Sequence, residues 1–412
     1  MADAKDVLPL TSLIEPASQD EVVEHLRQCH ASATAIYPIG GGTSLDYGLP
    51  GHVPGVGLSL SKLNRVVDYP ARDMTITAEA GIIMAELART LAREGQRLPI
   101  DVAEAERATL GGMIAANFSG PRRYGFGTLR DYVIGIHAVD GNGTPFKAGG
   151  RVVKNVAGYD LCKLLTGSLG TLAVITQVTL KVRPLAESTA LVACRPRDWR
   201  QAEELLAALV TSRTTPVAIE LLGGAACERA PGPQAASKML VGFEGSAAET
   251  AWQSEQLAAE WGALGIASGE IDHYPPQQAA PIWQALLDVP RGPLVIKANL
   301  PPSAVTDFMR LVLQLDAGAA VQAHAGNGIV VAGFSEFSVA DAGRVLVQTL
   351  QPAAVAAGGN VVVWSCSAGE LTRQATWGSL PAVNLTQAVK DRFDPKNLLN
   401  PGRFFYTARG HD

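Results

Sequence analysis

Cysteine is scarce and scattered: Cys29, Cys162, Cys194, Cys227 and Cys366 are the only five, and no two form a CxxC pair. That spacing excludes a locally built zinc site or iron–sulfur cluster. An odd number of dispersed thiols reads as reduced core residues. A chain without clusters of its own has no such route for passing electrons onward. Charge is also scarce, at 18% of residues with a net charge of −5. Neutralising phosphates requires a basic face, so a general nucleic-acid binder is not expected. No uncharged apolar run reaches about 18 residues, which argues against a membrane span. Residues 1–6 are acid-rich and lead into no apolar run, which argues against a secretory signal. The expectation is a cytoplasmic protein, with peripheral docking at the inner membrane through a partner left open.

What is abundant is glycine, 42 residues, within a 47% hydrophobic composition suited to a large core. At 412 residues the chain is long enough for two domains, since single cores rarely grow past roughly 250–300 residues. All six tryptophans lie from Trp199 onward, whereas the first half is rich in glycine loops. A boundary just after Pro184 fits that shift. The expected division is 1–187, 188–384 and a tail at 385–412.

Ser18 and Glu21 form a capping-box pattern ahead of the apolar stripe Val22, Val23 and Leu26. A short strand at 35–37 ends at Pro38. Further strands are expected at 57–60, 66–69, 74–79 and 172–182, with a helix over 84–94 stopped by Gly95. Beyond residue 190, helices are expected at 201–210, 247–261, 303–315 and 340–350. Strands interleave with them at 217–222, 239–243, 294–300, 320–324, 329–334 and 360–365. This order predicts an α+β domain with a helix-backed antiparallel sheet.

The sharpest motif is Pro38-Ile39-Gly40-Gly41-Gly42-Thr43-Ser44, directly after a strand. Three consecutive glycines remove every Cβ from one face and open backbone conformations closed to other residues. Several N–H groups can then converge on one anion, with the Thr43 and Ser44 hydroxyls beside them. A ligand-free tight turn is the alternative. Gly48, Pro50 and Gly51 forbid the helix that a Rossmann fingerprint requires, and no GKS or GKT follows. A second segment, from Thr109-Leu110-Gly111-Gly112 through Ala115-Ala116-Asn117 to Ser119-Gly120, offers an N-cap followed by small residues. It suits either a ligand's close approach or a close helix contact. A third runs from Gly158-Tyr159-Asp160-Leu161 to Gly167-Ser168-Leu169-Gly170-Thr171 before a strong strand. Between the second and third, Arg122, Arg123, Arg130, Lys147, Arg151, Lys154 and Lys163 outnumber Asp131, Asp140 and Asp160. That local excess faces an anionic ligand, a partner or simply solvent.

These three elements, in this order, resemble the PCMH-type FAD domain of the vanillyl-alcohol-oxidase family. Residues 38–44 resemble its PxGGGT loop and 109–120 its second pyrophosphate segment. Arg123-Tyr124-Gly125, Arg130-Asp131-Tyr132-Val133 and Gly167–Leu172 are also similar to family sequence, as is the tail Asp394–Gly402. The likeness covers nearly all of residues 13–187 plus that tail. It implies an α+β chain: a two-subdomain FAD-binding domain followed by an α+β cap of ferredoxin-like type. It further implies FAD contacts at residues 38–44, 109–112, 115–117, 119, 120, Gly170, Ile175 and Asn400. Relatives attach flavin through a histidine in or beside the first loop; residues 38–48 contain none and His52 comes late, so noncovalent FAD is expected. The run Gly150–Leu161 resembles the E-subunit branch of bacterial glycolate oxidase. That branch implies a 2-hydroxy-acid substrate, with a second FAD subunit and an Fe–S subunit as partners.

Oxidising a 2-hydroxy acid needs a hydride acceptor, a base for the hydroxyl proton and a cation for the carboxylate. Related dehydrogenases hold a metal through HxGDGNxH and GEHG-type segments. Here the first reads His324-Ala325-Gly326-Asn327-Gly328-Ile329-Val330 and the second is nearest to Ala368-Gly369-Glu370-Leu371. One histidine and one glutamate are too few ligands, so no metal is expected. His324 is the candidate base, with a structural strand-end histidine as the alternative. Lys297 is the candidate carboxylate cation, with a solvent-facing lysine as the alternative. An accessory flavin scaffold without its own turnover, and a stand-alone enzyme acting on D-lactate or another alcohol, are the competing functions.

Overall fold

The computed structural model describes residues 7–150, 159–367, 369–380 and 382–406, and only the backbone of Val339 and Ala340. The chain separates into two compact units. One is built from residues up to Ser119, Thr128–Leu185 and residues from Leu380 on; the other from Gly120–Gly127 and Ala186–Ser379. The linear division at 187 and 385 therefore differs from the spatial grouping, which sends Gly120–Gly127 to the second unit and begins the return at Leu380.

The first unit begins with the strand Leu10–Ile14, the helix Gln19–Ser32 and the strand Ala35–Ile39. Ser18 Oγ accepts from Glu21 N, and Glu21 returns the cap by accepting from Ala17 N at 2.8 Å. Val22, Val23, Leu26 and Cys29 form the buried face, and Ala33 ends the helix at φ 52°. Both strands pair in parallel with Gly55–Ser59 between them, which is why a helical crossover joins them. The strand expected at 35–37 runs on through Pro38 to Ile39. A second, antiparallel sheet orders its strands as Val66–Asp68, Thr75–Glu79, Ala173–Lys181, Val133–Asp140 and Pro145–Gly149. The long strand at 172–182 thus sits at its centre.

In the second unit, eight strands form one antiparallel sheet in the order Ile271–Tyr274, Ser188–Cys194, Ser237–Gly245, Ala218–Gly224, Ala320–His324, Ile329–Phe334, Leu294–Asn299, Asn360–Cys366. Each half follows β-α-β-β-α-β and places its strands in the order fourth, first, third, second. The two second strands, Ala218–Gly224 and Ala320–His324, pair to make one continuous sheet. The second unit is therefore a ferredoxin-like fold built twice.

Val241, Phe243, Ile296, Val321 and Phe334 pack with helix residues Leu205, Leu257, Trp261 and Met309 in one large core. Truncating such a buried Leu or Met to Ala costs about 2–5 kcal/mol. Val295, Ile329 and Val331 belong to a separate small cluster joined by Val289 and Trp364. Among the described residues no helix is long and apolar enough to cross a membrane.

Candidate functional site

The strand Ala35–Ile39 delivers Gly40–Gly42 to the rim of a cavity in the first unit. Gly42 takes φ +71°, a conformation that side chains resist. A Cβ on Gly40 would lie 2.2 Å from Thr109 Oγ1, and one on Gly41 would lie 1.8 Å from the Arg107 carbonyl. The glycines are thus demanded first by the neighbouring segment 107–112, against which the loop lies flat. Thr109 caps the helix Leu110–Ala116 by accepting from Gly112 N at 3.3 Å.

Two adjoining cavities open along this junction. Between them they are lined by Pro38, Ile39, Gly40, Gly41, Gly42, Thr43, Ser44, Thr109, Gly111, Gly112, Ala115, Ala116, Gly170, Ile175 and Asn400. Four candidates lie elsewhere. Leu110 points into the core, and Asn117 ends the helix at φ 50°. Ser119 is where the chain leaves the first unit, and Gly120 groups with the second. Residues 151–158 of the Gly150–Leu161 signature, with Arg151 and Lys154, lie outside the described residues, as does Ala368. The expected basic patch is divided: Lys163 pairs with Asp160 at 2.9 Å, and Arg122 pairs with Glu244 and stacks over Trp283.

The tail closes the cavity. Ile36 N donates to Leu398 O and Asn400 N to Ile36 O, while the Asn400 amide donates to Leu169 O at 2.7 Å. Buried Arg403 donates to the carbonyls of Leu45 and Tyr47, fastening the far end of the glycine loop. Burial lowers its pKa, partly offset by Asp46. Behind them Lys390 donates to Asp394 at 2.6 Å and to Thr171 O, and Asp394 accepts from Leu398 N and Leu399 N. Arg403 was not among the expected residues; its signal was the cation after Asn400-Pro401-Gly402. The cradle fits a phosphate-bearing cofactor: the glycine backbone of Gly40–Gly42, Thr43 and Ser44 line it together with the buried Arg403.

The second unit carries the other two candidates on the sheet face opposite the main core. His324 is 7% exposed, with Nδ1 2.7 Å from Glu220 Oε1 on the adjoining strand. Lys297 is half-buried, its ammonium 5.6 Å from the Trp364 ring. Burial, and then the Arg123 guanidinium, push its pKa down to about 8, so it remains a cation at neutral pH. Lys297 lies opposite Val331, which lies opposite Gln322, two residues before His324. Tyr124 packs over Gly326 in the turn after His324. No group of three or more His, Cys, Asp or Glu able to hold a metal occurs among the described residues.

Residues 11–149 match the family described as FAD binding domain, and residues 378–404 that described as FAD linked oxidases, C-terminal domain. The matched residues 11–149 are an FAD-binding domain, and the cofactor is FAD. It is 30% identical to glycolate oxidase subunit GlcD of Bacillus subtilis over 51% of this chain and 45% of that protein. It is 36% identical to glycolate oxidase subunit GlcE of Escherichia coli over 40% of this chain and 46% of that one. A D-lactate dehydrogenase of Archaeoglobus fulgidus is 29% identical over 95% of this chain and 90% of its own length. The matches to the two glycolate oxidase subunits thus span under half of those proteins. A solved structure of alkyldihydroxyacetonephosphate synthase shares the fold, at TM-score 0.67 and 18% identity over 94% of this chain and 76% of that one.

Proposed function

We propose that this chain is an FAD-dependent oxidoreductase acting on the CH–OH group of a small 2-hydroxy acid, with glycolate the first candidate. One observation carries the reading. The chain that holds the FAD cradle also presents, on one face of the eight-stranded sheet of its second unit, a lysine cation and a buried carboxylate-bound histidine. Bound FAD supplies the hydride acceptor. Lys297 holds the substrate carboxylate, with Arg123 adding positive potential. His324 takes the hydroxyl proton as hydride leaves C2, giving the 2-oxo acid. Residues 38–44, Thr109, Gly111, Gly112, Ala115, Ala116, Gly170, Ile175, Asn400 and Arg403 hold the FAD, noncovalently. The likeness to GlcD and GlcE supports the finer reading: the E-type flavin subunit of a heteromeric oxidase, passing electrons through a second FAD subunit and an Fe–S subunit.

A second reading, a stand-alone D-lactate dehydrogenase, is favoured by the match that covers nearly the whole of both chains. Anaerobic addition of glycolate or D-lactate to the purified FAD-loaded chain separates these. Bleaching of the flavin band by glycolate supports the first, and bleaching by D-lactate alone supports the second. No bleaching by either, with or without added partner subunits, overturns both and leaves an accessory scaffold.

A further inference from the structure

The carboxylate behind His324 is itself held by a chain of groups whose donor and acceptor roles are all dictated. Arg229, which can only donate, bonds both the Asp288 carbonyl and Gln322 Oε1. That leaves Gln322 Nε2 as the amide's donor end. It donates to the Leu286 carbonyl at 2.9 Å and to Glu220 Oε2 at 2.8 Å. Two independent partners thus fix which way the Gln322 amide faces. Glu220, 1% exposed, meets this donor with one oxygen and His324 Nδ1 with the other.

Resting on the reading of His324 as base, the geometry points to Glu220 as its positioning residue: it accepts from Nδ1–H and leaves Nε2 as the basic nitrogen. Gln322 and Arg229 hold that arrangement in register across the seam between the two β-α-β-β-α-β halves, because Glu220 and His324 stand on the paired second strands. The carboxylate does not enter the reaction; it selects the tautomer.

Substitution by glutamine makes the idea testable, because an amide at 220 has one acceptor and the network there needs two. In E220Q the new oxygen must turn toward the fixed Gln322 Nε2, so its NH2 faces His324 and demands a lone pair on Nδ1. The proton then moves to Nε2 and the base is blocked. In E220Q/Q322E the order at 220 is reversed: the carboxylate at 322 accepts from Arg229 and from the amide introduced at 220, whose oxygen turns back to Nδ1–H, while the bond to the Leu286 carbonyl is lost.

Nitrogen-15 histidine NMR on the FAD-loaded protein, with H324Q assigning the signal, reads the tautomer directly. The expected result is Nδ1–H in the unsubstituted chain, Nε2–H in E220Q and a return to Nδ1–H in the double variant. Flavin reduction by glycolate or D-lactate should slow by roughly 10²-fold or more in E220Q with KM little changed, and recover in the double variant. An Nε2–H tautomer in the unsubstituted protein overturns the assignment, and needs no variant to fold. The expected tautomers together with unchanged reduction rates would instead overturn His324 as base, leaving Glu220's hold on the ring intact.

Discussion

At the scale of single residues, glycine is read easily and its reason is read less well. The GGGTS run announced a Cβ-free loop, but the nearest obstacle at Gly41 is the Arg107 carbonyl, which a Cβ would meet at 1.8 Å. Gly41→Val should therefore spread the two loops apart, weakening FAD retention by at least about tenfold. The flavin-to-protein absorbance ratio after desalting measures it; an unchanged ratio shows that the loops do not need to touch. Lys297 gives the pH prediction. Its pKa of about 8 means the ammonium is present below that pH and lost above it. The KM for a 2-hydroxy acid should then rise as pH climbs through about 8. Lys297→Met should remove that rise and increase KM by about 10–100-fold, the worth of one hydrogen bond to a charged group. A KM indifferent to pH across this range would remove Lys297 from the carboxylate site. The apolar neighbours in its strand left open whether Lys297 faces a substrate or solvent. They did not show that Trp364 and Arg123 come from distant segments to crowd it.

At the scale of elements, the strongly patterned ones were legible and the irregular ones were not. The helices at 201–210 and 247–261 follow from their apolar spacing and caps. Pro276–Leu287 was not among the expected helices; Pro275 stands at its N-cap and Pro276 opens it, where no N–H is needed. The helix expected at 340–350 is instead Val339–Val345 followed by a π turn and Gln351–Ala356. The strands Val133–Asp140 and Ser188–Cys194 were not expected, although Asp140-Gly141-Asn142-Gly143 ends the first and Pro196 follows the second. The doubling of the cap was also invisible, since it lies in strand order and not in repeated residues. The element that most repays testing is Val383–Phe393, whose Lys390–Asp394 pair is almost fully buried. Lys390→Met should strand the Asp394 carboxylate and cost about 3–5 kcal/mol. A urea melt of the flavin signal should show the loss before any change in the second unit's tryptophan fluorescence. Coincident, unshifted transitions would mean that the tail is not tied down by this pair.

For the whole molecule, the glycine loops gave the cofactor and the region holding it, while the closing contacts come from residues far away in sequence. A chain ending at 187 should therefore fail to retain FAD, because Asn400 and Arg403 are missing, and supplying residues 380–412 as a separate polypeptide should restore part of the binding. Retention by the truncated chain, measured by equilibrium dialysis, would show that the tail is dispensable.

That closure also orders events during synthesis. The ribosome makes Ala186–Ser379 before it makes the segment that seals the cradle, so the second unit can finish folding while the first still waits. Domains usually fold from the N-terminus onward; here the N-terminal one completes last. Flavin loading is thus a late step, and a nascent chain stalled before residue 380 would be an apoprotein whose pocket still lacks Asn400 and Arg403.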